Sequence, residues 1–343
     1  MSDAAVGGAR RTGEAGGWRP AASLETLRRR AALAAAVRAF FAAREVLEVE
    51  TPLLAAATTP ETHLVSFEAR DPAAGAGAAP RYLQTSPELH MKRLLAAGSG
   101  PIYQLARVAR GGERGRLHNP EFTLLEWYRP GWDHHRLMDE VEALVGELLA
   151  GTGAEPAPGS APRLTYRQLF KRHAGIDPGA ASIADLDATI RAAGISPPEL
   201  PADDRDARLA LLLTHVIEPL LPAGLLFVHD FPASQASLAR VGRDADGREV
   251  AERFELYADG VELANGFHEL TDAAVQRRRF EAELADRRRR GLPQVPMAER
   301  FLAALEAGLP TSSGVALGFD RLVMRAVGAE HIDDVLAFPG DRA

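Results

Sequence analysis

Three arginines set among three glycines, with a histidine, an amide and an acid close behind, make Ala109 to Tyr128, ARGGERGRLHNPEFTLLEWY, a segment rich in anion chemistry. Arg110, Arg114 and Arg116 offer planar forks that match phosphate oxygens, and Gly111, Gly112 and Gly115 let a backbone come close to a ligand. A second segment, RFELYADGVELANGFHEL from Arg253, carries the opposite charge. There Glu255 and Glu262 flank an Asp259-Gly260 turn, and Asn265 and Glu269 follow. Hard carboxylate oxygens suit magnesium, which completes its shell with water and substrate phosphates. Together the two segments fit a phosphate-bearing ligand held with a cation. Taken singly, each has a plainer reading, a solvated basic turn and an edge hairpin with an acidic face.

Positioning these groups requires strands. Ile102 to Val108 and Phe122 to Tyr128 read as β-runs that present the basic loop at one end of a sheet. Asp259-Gly260 is a two-residue hairpin turn, which pairs Ala258 with Val261, Tyr257 with Glu262 and Glu255 with Ala264. That register puts Glu255 and Glu262 on one face, roughly 7 Å apart, and Phe254, Leu256, Val261 and Leu263 on the core face. His229 and Asp230, neighbours on a strand from Leu225, are expected on opposite faces.

Ser23 caps a helix with apolar positions at Leu24, Leu27, Ala31, Ala34, Val37 and Phe41, and Pro52 stops the extended segment that follows. Ser86, Pro87 and Glu88 open a second helix, and Asp133 a third. Residues 163 to about 222 read as helical, with no chemistry of their own. A helix from Asp272 to Arg290 ends in four arginines, which complement its dipole; a docking surface for an acidic protein partner is the weaker reading.

With 46% hydrophobic and 25% charged residues in 343, the chain has ordinary globular composition. No apolar run approaches bilayer length and the first twenty residues lack the centre of a secretory signal, so the expected location is the cytoplasm. The absence of cysteine excludes thiolate nucleophiles and cysteine zinc sites, leaving oxygen or histidine to hold any metal. A net charge of −7 does not invite a polyanion such as tRNA. Residues 1 to 20 read as a disordered tail, and Ala150 to Pro162 as a linker.

In order along the chain, VLEVETPLL from Val46, the basic segment, and SGVALGFDR from Ser313 resemble motifs 1, 2 and 3 of the class II aminoacyl-tRNA synthetase catalytic domain. The resemblance is to the lysyl subclass, and within it to truncated relatives that attach β-lysine to elongation factor P. It covers Leu24 to the C-terminus. It implies an α+β fold with an antiparallel β-sheet flanked by helices, one catalytic domain over residues 21–343 with a helical insertion at about 150–222, and a homodimer built through motif 1. About fifty residues precede Pro52, too few for an N-terminal OB anticodon-binding domain, so tRNA is disfavoured as acceptor.

The same resemblance implies residue roles. Arg110 would hold the α-phosphate of ATP, Phe122 would stack on adenine, His118 and Asn119 would contact the nucleotide, Gly318 would admit adenine, and Arg321 would meet its far side. Glu255 and Glu262 would carry Mg2+, with Leu256 beside the nucleotide. Motif 2 usually reads Arg, any residue, Glu; here Gly112 stands in the acid's place, so Glu113 or the backbone of Gly111 and Gly112 is left to take up that contact. Ser86, Pro87 and Glu88 would line the amino-acid pocket, with Glu88 on the amino group, Asn265 on the carboxylate, and Glu269 with Tyr128 on the side-chain ammonium. Ala316 replaces the glycine of lysyl-tRNA synthetases, which favours a shifted amino group. The expected function is ATP-dependent activation of (R)-β-lysine as an adenylate and its transfer to the ε-amino group of a lysine of elongation factor P. A lysyl-adenylate enzyme serving tRNA or a small molecule, and an inactive sensor of amino acid or nucleotide, are the alternatives; intact Arg110, Glu255, Glu262 and Arg321 argue against the latter.

Overall fold

The Ser23 hydroxyl accepts a hydrogen bond from the Thr26 amide at 3.0 Å and starts the expected helix. The computed structural model describes residues 18–75, 77–154, 161–196 and 200–343; most of the tail and part of the linker lie outside these. In chain order the first elements are α1 (Leu24–Ala42), β1 (Leu47–Glu48), β2 (Leu54–Ala55), β3 (Glu68–Ala69), β4 (Arg81–Leu83), α2 (Glu88–Ala96), β5 (Ile102–Ala109), β6 (Glu121–Pro130) and α3 (His134–Leu149). Then come β7 (Arg163–Thr165), α4 (Tyr166–His173), α5 (Ile183–Ala192), α6 (Arg205–Leu212), β8 (Leu225–Pro232), β9 (Val241–Arg243), β10 (Glu249–Ala258) and β11 (Val261–His268). The chain finishes with α7 (Ala273–Arg289), α8 (Glu299–Gly308), β12 (Ser312–Gly318) and α9 (Phe319–Val327).

Strands β1, β5, β6, β12, β11, β10, β8 and β7 lie side by side in that order, and β9 adds to β10. The central pairings are antiparallel, while β1 on β5 and β7 on β8 are parallel at the edges. Helices α1, α3 and α9 cover one face, where Val37, Phe41, Trp127, Val141, Phe254, Leu256, Leu317 and Leu322 form a fully buried cluster. Each large apolar side chain taken out of water stabilises the fold by about 1.5–3 kcal/mol, so this face anchors the sheet and frees the other for a ligand. Helices α4 to α6 build a separate cluster, with Tyr166, Phe170, Ile190 and Leu209 packed against Phe231 and Tyr257 of the sheet. Among the described residues no helix is long and apolar enough to cross a membrane.

Several expectations are corrected. Leu24 is exposed, and α1 buries Leu33 and Phe40 together with Val37 and Phe41. Residues 163–165, read as helical, form β7. In the acidic hairpin Ala258 faces Val261 and Tyr257 faces Glu262, but Glu255 faces Asn265 instead of Ala264. Leu263 is the extra residue of a β-bulge, which shifts the register by one. Asp230 has φ of 56°, so strand alternation fails there and its Oδ2 lies 3.1 Å from His229 Nδ1. Arg287 of the terminal arginine run is buried, donating to the carbonyls of Pro293, Glu61 and Leu64, which removes it from any docking surface.

Candidate active site

Alternation along β6 divides its residues between core and cleft. Leu125 and Trp127 enter the core under α1 and α3, whereas Phe122, Leu124, Glu126 and Tyr128 line a cleft of about 440 Å³ on the opposite face. Arg110 projects into the cleft from the end of β5. Its Nε donates to the Thr85 carbonyl at 3.1 Å and its guanidinium lies 5.0 Å from the Phe122 ring centroid, leaving the Nη groups turned toward the cavity with Glu113 Oε1 at 3.8 Å. Arg321, one turn into α9, faces it from the far wall. It donates through Nη1 to the Glu262 carbonyl at 2.6 Å and through Nη2 to His118 Nε2 at 2.8 Å. A guanidinium cannot accept, so His118 is the acceptor and must be neutral on that nitrogen; desolvation and the Arg321 charge hold its pKa below the usual value.

The other two arginines of the loop serve the scaffold. Arg114 makes a bidentate pair with Asp333 at 2.8 and 3.0 Å, and Arg116 donates to the Glu330 carbonyl at 3.4 Å. Asn119 lines the cleft, yet its amide already donates to the Glu121 carbonyl at 2.6 Å and accepts from Gly340 at 3.0 Å. Its observed hydrogen bonds brace the loop against the C-terminus. Gly111 and Gly112 stand outside the cleft walls: a Cβ on Gly111 would meet Val65, and Gly112 has φ of +79°. Pro87 caps α2 and Leu256 enters the core, so neither reaches the cavity.

The bulge at Leu263 determines what the acidic hairpin presents. Three residues apart, Glu262 and Asn265 would face opposite sides of a regular strand; because the bulge takes up Leu263, Glu262, Asn265, Phe267 and Glu269 all line the cleft. Glu255 lies behind, accepting from Arg253 Nη2 at 2.5 Å and from the Tyr257 hydroxyl at 2.6 Å. The Glu262 carboxylate pairs loosely with Arg321, at 3.9 Å. Its pKa is raised to about 7, first by desolvation in the cleft and then by Glu255, although water still reaches 43% of the side chain. That upward direction fits a place for a hard cation. Glu218, six residues after α6, adds a third acid, with Oε1 3.5 Å from the Tyr257 hydroxyl.

At the other end the cleft closes on buried acids. Lys92 Nζ lies 2.5 Å from Glu88 and 2.6 Å from Glu269, under the Tyr128 ring. Glu126 accepts from Ser86 and from the Tyr128 hydroxyl, each at 2.7 Å, and Glu61 accepts from Ser237 at 3.0 Å. Two carboxyls thus contact the buried ammonium, and two more, Glu126 and Glu61, line the same end of the cleft. Desolvation, then repulsion from Glu88, pushes Glu126 up to about 7 and raises Glu61; Glu269 stands at about 8, raised by desolvation against the pull of Lys92. The Lys92 shift is upward, which requires ionised partners, whereas the Glu269 value describes a protonated acid. Two contacts near 2.5 Å fix the Lys92 charge, so the acids share protons among themselves. A Cβ on Gly314 would collide with the Tyr128 ring and the Glu269 carboxylate, so this glycine gives both side chains their room. Ala316, paired with Asn265 and Glu126, forms the wall between the two ends.

Of the residues singled out in the sequence, Ser86, Glu88, Arg110, Glu113, His118, Asn119, Phe122, Tyr128, Glu262, Asn265, Glu269, Ala316, Gly318 and Arg321 are gathered around this one cavity. Glu61, Lys92, Glu126, Arg253 and Gly314 were not anticipated. Glu126 shares the parity of Phe122 and Tyr128, and Lys92 follows Glu88 by four residues, so both had a readable signal.

Residues 17–342 match the family model of class II tRNA synthetases (D, K and N). The chain is 51% identical over 328 residues to an elongation factor P–(R)-β-lysine ligase of Enterobacter sp. (strain 638), covering 95% of this chain and 98% of that protein. It is equally 51% identical over 337 residues to the ligase of that name from Yersinia enterocolitica, covering 96% and 99%, and over 329 residues to that of Yersinia pestis (strain Pestoides F), covering 94% and 97%. Arginines at one end of the cavity, crowded acids at the other and a match spanning nearly the whole chain have one explanation: this protein belongs to the class II tRNA synthetase (D, K and N) family.

Proposed function

We infer that this chain activates (R)-β-lysine with ATP and transfers it to the ε-amino group of a lysine on elongation factor P. The observation that carries the reading is the crowding of acids at the closed end of the cleft, where Glu61, Glu88, Glu126 and Glu269 gather and Lys92 pairs with Glu88 and Glu269 alone among the described residues. A substrate with two ammonium groups supplies the missing positive charge, and no monoamine does so as fully. The names of the relatives, matched over nearly their full length, support the same substrate and acceptor.

In the first step a substrate carboxylate oxygen attacks the α-phosphorus and pyrophosphate leaves. The nucleophile is already ionised, so the residues are needed for alignment and charge neutralisation. Arg110 and Arg321, on opposite walls, would meet the phosphate oxygens, and Phe122 would offer a ring face to adenine. Asn265 orients the substrate carboxylate, with its own oxygen held by Arg253 at 3.2 Å. In the second step the acceptor amine attacks the acyl carbon and AMP departs. Glu255 and Glu262 would hold Mg2+, which supplies positive charge to the phosphates when bound.

The α1, β1 and β2 segments place Leu24, Leu47, Leu53 and Leu54 in water, a surface suited to a homodimer; sedimentation of the wild type against Leu47→Glu tests this. The function is tested by incubating enzyme, ATP and β-lysine with elongation factor P or with tRNA and weighing each product. Mass added to tRNA alone would overturn the reading in favour of a lysyl-adenylate enzyme of the tRNA type.

A further inference from the structure

On the reverse face of the sheet, behind the substrate acids, histidines converge that the reaction does not use. His134 and His135 open α3, and His229 and Asp230 close β8. One ring nitrogen from each of the three histidines lies within 4.8 Å of the others. Asp230 adds a carboxylate, with Oδ1 3.8 Å from His134 Nε2 and Oδ2 3.1 Å from His229 Nδ1.

His134 gives the cluster its meaning. The residue is only 5% exposed, and neither of its ring nitrogens has a hydrogen-bond partner among the described residues. A buried imidazole left unbonded on both sides is costly, and Asp230 at 3.8 Å is too far to relieve it. His229 Nδ1, 3.1 Å from Asp230 Oδ2, has no well-aligned hydrogen bond among the described residues, while His135 is exposed and gives an ion a way in. Three imidazoles and a carboxylate form the donor set of a zinc-type ion, and zinc–nitrogen bonds of about 2.1 Å bring such nitrogens within about 3.4 Å of one another, a spacing that side-chain rotation can reach from here.

We propose that His134, His135, His229 and Asp230 bind one divalent ion of the zinc type, apart from the nucleotide cleft. A neighbouring group, His134 with His268 and Glu252, also has its ligand atoms within 4.8 Å. There, however, His268 Nδ1 is already bonded to Glu252 at 2.5 Å and Arg240 lies 3.5 Å from the same oxygen, so that carboxylate is engaged. The site ties the start of α3 to the end of β8, two segments far apart in sequence.

The test uses the full-length protein, stripped with chelator, in buffer with excess Mg2+ to occupy the cleft carboxylates. Zn2+ is titrated calorimetrically, and Co2+ is followed by its visible absorption. The expected result is one equivalent of Zn2+ per chain, intense tetrahedral cobalt bands, and binding weakened about 10-fold or more in both His135→Ala and His229→Ala, with His268→Ala unchanged. His135 is exposed, so its replacement should fold normally, which circular dichroism checks. Absence of stoichiometric Zn2+ binding, or loss in His268→Ala with retention in His229→Ala, overturns the assignment.

Discussion

Replacing Glu269 with glutamine keeps the shape of the closed end of the cleft and removes one of its charges. Glu269 is buried, and its pKa is raised to about 8 by desolvation against the pull of Lys92. A substrate ammonium at this position makes a charge-assisted hydrogen bond worth about 1.5–3 kcal/mol, so Glu269→Gln should weaken β-lysine binding about 10- to 150-fold. The wild type carries a second signature. A cation entering the pocket ionises acids that were sharing protons, so binding should release protons and tighten by up to about tenfold per pH unit between roughly 6 and 8. In the free protein the linkage runs the other way: a carboxyl raised in the folded state contributes stability that is complete below its unfolded pKa and is lost as pH rises through 8, so melting temperature should fall over that range unless ligand is present. Calorimetry of β-lysine binding with a non-hydrolysable ATP analogue, in two buffers of different ionisation heat, measures the protons directly. Flat affinity from pH 6 to 8 with no proton release would refute the charge-balance reasoning, as would wild-type affinity in Glu269→Gln.

Arg110→Ala should remove about 3 kcal/mol or more of transition-state stabilisation, a loss of at least about 100-fold in ATP–pyrophosphate exchange; near-normal exchange would remove Arg110 from the phosphate site. Ala316→Gly should shift preference toward α-lysine by about 1–3 kcal/mol, read as a changed ratio of kcat/KM for the two isomers. Gly314→Ala should displace Tyr128 and Glu269 and raise KM for the amino acid more than KM for ATP, because the added methyl collides only at the closed end.

Much of the arrangement is legible in the sequence because it rests on local signals. The Ser23 cap, the two strands around the basic loop and the Asp259-Gly260 turn each follow from residues that are neighbours in the chain. What escaped depends on distant partners. Lys92 looks like the polar face of a helix until β11 brings Glu269 to it, and Arg114 looks like a phosphate fork until Asp333 claims it. Arg287 likewise looks like a surface charge until the loop of Glu61 and Leu64 folds over it. In each case a long side chain whose composition says solvent is held by a group more than a hundred residues away.

The unpaired leucine in the β10–β11 ribbon lets the hairpin carry an odd spacing between two groups that must share a face. Deleting Leu263 would turn the ribbon into a regular ladder in which Glu262 and Asn265, then two residues apart, still point into the cleft. Loss of that one residue should therefore be tolerated by the amino-acid pocket, whereas one residue inserted between Asn265 and Glu269 would turn Glu269 to the opposite face.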